Sequence, residues 1–200
     1  MSYSHYWYPY EPIEARYFKR IKKDFRKLLF LEKNIFLPIL YGADGIGDPV
    51  ITDTRIAFNG DRHCSHQSRH SILFCIPGLE DKAINQSLKG TGAAESRSRG
   101  CSGGKCSCDA MALFSDQDKG YAELSNGAES LFTGSVKTNL KPYDIAVQCL
   151  LIVAWYRVPG FIAESDGQQE QWFRAMLLCQ MNLGYGLAFR LGTIHSRTVY

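Results

Sequence analysis

The segment KPYDIAVQCLLIVAWYRV, residues 141–158, constrains the fold of this chain more than any other. Pro142 suits the first turn of a helix and Asp144 its positive end; Ile145, Cys149, Ile152, Val153 and Tyr156 then repeat at helical spacing. The middle of the segment is apolar almost all round, so this helix has no face to give to water and must lie at the centre of a core. Its apolar run is about half the ~20 residues that a bilayer crossing needs. Other elements must therefore cover it on every side, and 200 residues with 45% apolar content can supply them within one domain.

The expected fold is α+β: a single compact domain with a small, mostly antiparallel sheet, an N-terminal amphipathic helix and two C-terminal helices. Residues 1–12 are set apart as an aromatic arm, because Tyr3, Tyr6, Trp7, Tyr8 and Tyr10 show no periodicity and Pro9 and Pro12 oppose a helix. So much aromatic surface must dock, on its own domain or on a second subunit. The domain proper runs over 13–200. Helical spacing of Ile13, Tyr17, Ile21, Phe25, Leu28 and Leu29 predicts a helix over Glu11–Ile35. Short strands are expected in IFLPILYG, in DPVITDTRIAFNGD, in HSILFCIPG (paired with TRIAF) and in GFIAESDG. Ser165 or Asp166 is the expected cap of a helix in GQQEQWFRAMLLCQMN, and LGYGLAFRLGTIHSRTVY is expected to add a last strand. A polar, glycine- and serine-rich stretch at about 78–109 is expected to be a flexible insert.

Charge is uneven along the chain. The total is +3, yet Glu14 to Lys33 holds eight basic and three acidic residues, a local +5 that leaves −2 for the rest. Arg16, Lys19, Arg20, Lys23, Arg26 and Lys27 fall largely away from the apolar face of the first helix. They form a candidate surface for nucleic acid, an acidic partner or a membrane surface. The N-terminus lacks the basic start and apolar stretch of a secretory signal. The expectation is a cytoplasmic protein with no membrane partner.

Catalytic and cofactor motifs fare poorly. RGCSGGKCSCDA, residues 99–110, resembles a phosphate loop, but Gly100 to Gly104 is one residue short and Cys106 stands where a hydroxyl must reach magnesium. Gly42, Gly45 and Gly47 lack the dinucleotide-binding order. Cys101, Cys106 and Cys108 could meet His63, His66 or His70 in a Cys3His zinc site, but the irregular spacing fixes no tetrahedron, and no metal is expected. Cys75, Cys149 and Cys179 are expected as reduced thiols, the last two as small buried hydrophobes. No nucleophile elbow or metalloprotease signature is present, so the sequence leans away from an enzyme and implies no cofactor.

Three stretches carry a resemblance: Phe58-Asn59-Gly60; Lys137, Thr138, Lys141, Pro142, Tyr143 and Asp144; and Ser165-Asp166-Gly167 with Trp172. Together they resemble a family of small, uncharacterised proteins of bacteriophages and prophages, over about two-fifths of the chain. HSILF departs from the pattern, which has an acidic residue there. The resemblance implies a phage context and no established activity. Lys137, Thr138, Lys141, Tyr143 and Asp144 share one helix start, where free amides and the dipole attract anions. With Asn59, Gly60 and Asp166 on the neighbouring turns they make a candidate pocket for a phosphate or carboxylate. The expected function is thus a phage-type accessory protein that binds a host protein or an anionic small ligand, counter-defence being one outlet. The alternatives are a virion component that self-assembles through the arm, and a nucleic-acid-binding protein that uses the basic helix and stacks bases on the arm aromatics.

Overall fold

The computed structural model describes residues 3–30, 40–62, 107–118 and 134–195. In chain order the elements are β1 (Ser4–Tyr8), α1 (Ala15–Phe30), β2 (Val50–Ile51), β3 (Arg55–Phe58), β4 (Met111–Phe114), β5 (Gly134–Lys137), α2 (Asp144–Arg157), β6 (Ile162–Ser165), a 3-10 turn (Gln169–Trp172) and α3 (Phe173–Leu183). This is an α+β domain with two small antiparallel sheets, ordered β5-β1-β6 and β2-β3-β4. Among the described residues no helix is long and apolar enough to cross a membrane.

As its sequence requires, α2 is buried on all sides from Asp144 to Trp155. Three walls surround it. α1 turns the fully buried Phe18, Ile21 and Phe25 inward, and α3 contributes Ala175, Met176, Leu178 and Cys179. The first sheet covers the remaining side through β6, and the second sheet packs on α1, with Phe25 stacked on Phe58 of β3 at 5.5 Å between ring centres. Cys149 and Cys179 face each other as free, buried thiols, and burial pushes the Cys149 thiol well up.

The aromatic stretch expected as an arm is the middle strand of the first sheet. β1 pairs with β5 through Ser4–Lys137 to Trp7–Gly134, and with β6 through His5–Ser165 to Tyr8–Ile162. His5 and Trp7 point inward while Ser4, Tyr6 and Tyr8 are half-exposed. Trp7 lies so close to β5 that a Cβ on Gly134 would stand 2.1 Å from its ring. Only Tyr10 of the five aromatics stands mostly in solvent.

Other expectations are corrected by the fold. The segment read as one strand over DPVITDTRIAFNGD is a hairpin, β2–β3, whose turn is held by Thr52 accepting from Arg55 N at 2.9 Å. β3 is paired by β2 and β4; HSILFCIPG, the expected partner of TRIAF, lies outside the described residues. The cap before Trp172 is Gln168, which exchanges hydrogen bonds with Gln171 in a capping box, rather than Ser165 or Asp166. Residues 184–195 form turns and no strand: Gly184 ends α3 in the left-handed conformation and Phe189 N bonds back to Gly186 O. Of the insert expected at 78–109, residues 78–106 lie outside the described residues, as do His63, His66, His70, Cys101 and Cys106.

Candidate functional site

Two features emerge from this fold, a buried polar seam and an outward basic face. The seam starts at the loop before β4. Asn59 accepts from Gly60 N and Cys108 N, and donates to Ala43 O and to Cys108 O, the last at 2.9 Å. One amide thus ties three segments and is fully satisfied. Asp109 N donates to Lys137 O, joining the two sheets. The buried Tyr143 hydroxyl donates to Asp109 O at 2.8 Å, with Lys137 O at 3.2 Å. Burial, and then the neighbouring Cys108, Asp144 and Asp109, hold its phenol far above the usual range.

Asp144 is the hub of the seam. Its carboxylate accepts from Thr138 Oγ1 and from Gln148 Nε2 at 2.9 Å, and it pairs with His5 Nε2 at 2.7 Å. His5, Thr138, Asp144 and Gln148 are all buried. The His5 ring is flanked edge-on by Tyr3 at 5.1 Å and Trp172 at 4.9 Å. Three buried polar atoms around it, Tyr3 OH, His5 Nδ1 and Trp172 Nε1, have no hydrogen-bond partner among the described residues. Because it faces a carboxylate, which can only accept, His5 Nε2 is the nitrogen that donates to Asp144.

The turn leading into α2 is unusual. Asn139 and Leu140 have φ of 51° and 56°, and Lys141 N closes the turn on Thr138 O at 3.0 Å. A bulky residue in the left-handed region is strained. Tyr3 O holds the turn by accepting from both Thr138 N and Asn139 N at 3.0 Å. On the far side of β1, Asp166 accepts from Ser4 N at 3.0 Å and from the Tyr6 hydroxyl at 3.2 Å.

The residues expected to share an anion pocket therefore fall along one connected seam, but their side chains have definite intramolecular duties. Asn59, Thr138, Tyr143, Asp144 and Asp166 hold segments together; Gly60 shapes the turn beside Gly45; Lys137 is exposed and Lys141 half-buried. Sequence reasoning missed His5 and Gln148. His5 hides in an aromatic run, and Gln148 sits one turn after Asp144 on an otherwise apolar helix. Among the described residues no three His, Cys, Asp or Glu side chains gather where a metal could sit.

Tyr3 gives a pH prediction. Burial first, then the charge of Asp144, pushes its phenol up to about 12, above its ordinary value of 10.0. Because the folded value is the higher, this contribution to stability is whole below pH 10 and is lost as pH rises through about 12. The melting temperature should fall across that window, and Tyr3→Phe should flatten the fall. An unchanged slope in Tyr3→Phe would assign the alkaline transition to other tyrosines.

The second feature is the outer face of α1. The helix carries seven basic residues and one acid, Asp24. Arg16, Lys19, Arg20, Lys23, Arg26 and Lys27 are all exposed. At 3.6 residues per turn they fall within an arc of about 120° and a length of about 16 Å. Asp24 lies outside that arc and is buried, where Arg157 Nε at 2.6 Å and the Tyr185 hydroxyl at 2.7 Å donate to it. Tyr185 stacks on Tyr156 at 3.7 Å beneath the same guanidinium. The helix's one acid is thereby neutralised from the core side. Lys22, on the flank, pairs with Asp53 of the β2–β3 turn, and Arg26 donates to Ile51 O at 3.0 Å. Lys22 first, then Arg26 and Lys19, hold the Asp53 carboxyl below its usual value, a sign of the field along this face. Arg16 pairs with Glu14; Arg20, Lys23 and Lys27 have no ion pair among the described residues.

Compared with protein-family models, with curated proteins and with solved structures, the chain matches none.

Proposed function

We propose that this chain is a binding protein of the phage accessory type that engages an anionic partner in the host cell through the outer face of α1. The observation that carries the reading is six exposed cations on one rigid stripe whose only acidic neighbour within the helix, Asp24, is buried against Arg157. Such a stripe raises the local concentration of anions and speeds their encounter, an effect that salt weakens. α1 is held in place by its apolar side in the core and by the β2–β3 turn on its flank, so the cations are presented without reorganisation. The start of α2 supports a ligand less strongly, because Thr138, Tyr143 and Asp144 point into the seam and leave Lys137 and Lys141 as its cations. The phage context itself rests on the resemblance of the three short stretches named above.

The test is retention on an immobilised sulfated polyanion at low salt. The triple variant Arg20→Glu, Lys23→Glu, Lys27→Glu should lose retention while keeping its circular dichroism and melt, since exposed charges contribute little to stability. The double variant Lys137→Glu, Lys141→Glu should be retained as the parent is. The reverse pattern would move the site to the start of α2.

A further inference from the structure

Building on that reading, we infer that the partner of the α1 face is the phosphate backbone of a nucleic-acid duplex, bound without regard to base sequence. Four anionic partners are worth comparing, and the composition of the face separates them.

A membrane surface asks an amphipathic helix to lay its apolar side into the acyl boundary. On the apolar side of α1, Phe18, Ile21, Phe25, Leu28 and Leu29 are buried in the protein and are not offered to a bilayer. An acidic protein surface would need an apolar or aromatic anchor in a dry centre, because such anchors carry most of the energy of protein interfaces. From Arg16 to Lys27 every exposed residue of α1 is Arg or Lys. A single strand is gripped by stacking its bases on aromatic platforms. Of the five N-terminal aromatics that the sequence offers for this, Tyr3 and Trp7 are buried, Tyr6 is tied to Asp166 and Tyr8 is half-buried in β1, which leaves Tyr10 as a single exposed ring and no row of platforms.

A duplex asks for none of these. It presents rows of phosphates at fixed spacing, about one negative charge per 1.7 Å of axis, and is bound through counterion release. A straight stripe about 16 Å long spans roughly five base-pair steps. α1 packs against both α2 and α3 and is flanked by the β2–β3 turn, so its body is set into the protein. A helix held this way lies across the phosphate ridges and does not enter a groove to read base edges. Its contacts position the protein and carry no sequence information.

The experiment measures binding of the whole chain to duplexes of about 20 base pairs, as DNA and as RNA, in two unrelated sequences each. The same strands unpaired, polyglutamate and vesicles rich in anionic lipid complete the set. Duplex should bind most tightly, the two sequences should agree within about threefold, and raising salt from about 50 to 200 mM should weaken binding on the order of 100-fold, as about four phosphate contacts require. Each of Arg20→Ala, Lys23→Ala and Lys27→Ala should reduce the salt slope by about one. The DNA and RNA arms identify the source of the phosphates. Tighter binding to unpaired strands, to polyglutamate or to vesicles would overturn the duplex inference and leave the anionic-partner reading standing. No binding to any of the polyanions would overturn both.

Discussion

A chain lacking Met1–Tyr10 is expected to show no cooperative thermal unfolding. The removed residues include β1, which is paired on both sides by β5 and β6, strands that are not neighbours in the sheet. Without β1 the first sheet has no middle, and the buried Trp7 and His5 leave the core together. An aromatic arm docked on a finished surface would cost only the few kcal/mol of its own burial. The loss of a central strand instead exposes the backbone of two others as well as the face of α2 that they cover. Calorimetry of the truncated chain separates the two cases. A sharp transition, lowered by only a few degrees, would contradict the central position of β1.

Asp144→Ala should be the most damaging single substitution in the seam. It leaves the His5 Nε2, Thr138 Oγ1 and Gln148 Nε2 donors without their acceptor in a dry site. A buried donor left without its acceptor costs about 1–3 kcal/mol, so the three together are expected to cost at least about 3–5 kcal/mol. For a domain of this size that corresponds to a fall in Tm of roughly 10–15 °C. Asp144→Asn keeps an amide oxygen and should recover part of the loss. Denaturant titration of the parent and the two variants reads the effect directly. A loss below about 1 kcal/mol in Asp144→Ala would mean that the three donors find other partners.

How far the sequence speaks depends on how much contrast neighbouring residues carry. The α2 segment was legible because an all-round apolar helix has one physical solution, the centre of a core. α1 was legible because its two sides differ sharply, and the six residues expected on its outer side are all exposed. β1 was not legible: its inward His5 and Trp7 alternate with outward Tyr6 and Tyr8, and the two sets are too alike in polarity for a period of two to show. β4 and β5 are four residues each, and β5 buries only Val136, too little for a pattern. The turn at Asn139–Leu140 carries no glycine to announce its left-handed backbone; Tyr3 O, remote in sequence, holds it. The seam residues were found from their clustering along the chain, yet the carboxylate that was read as a helix-end charge is tied to a histidine 139 positions earlier. Only the strand pairing of β1 brings those two together.

The most direct test of the central claim, that an anionic partner lies on the outer face of α1, is a lysine-acylation footprint read by mass spectrometry with and without a saturating polyanion. Lys19, Lys23 and Lys27 should lose reactivity when the polyanion binds. Lys22, already paired with Asp53, and the two lysines beside the start of α2, Lys137 and Lys141, should not change. Protection of Lys137 and Lys141, with Lys19, Lys23 and Lys27 reacting as before, would contradict the claim and place the anion at the start of α2.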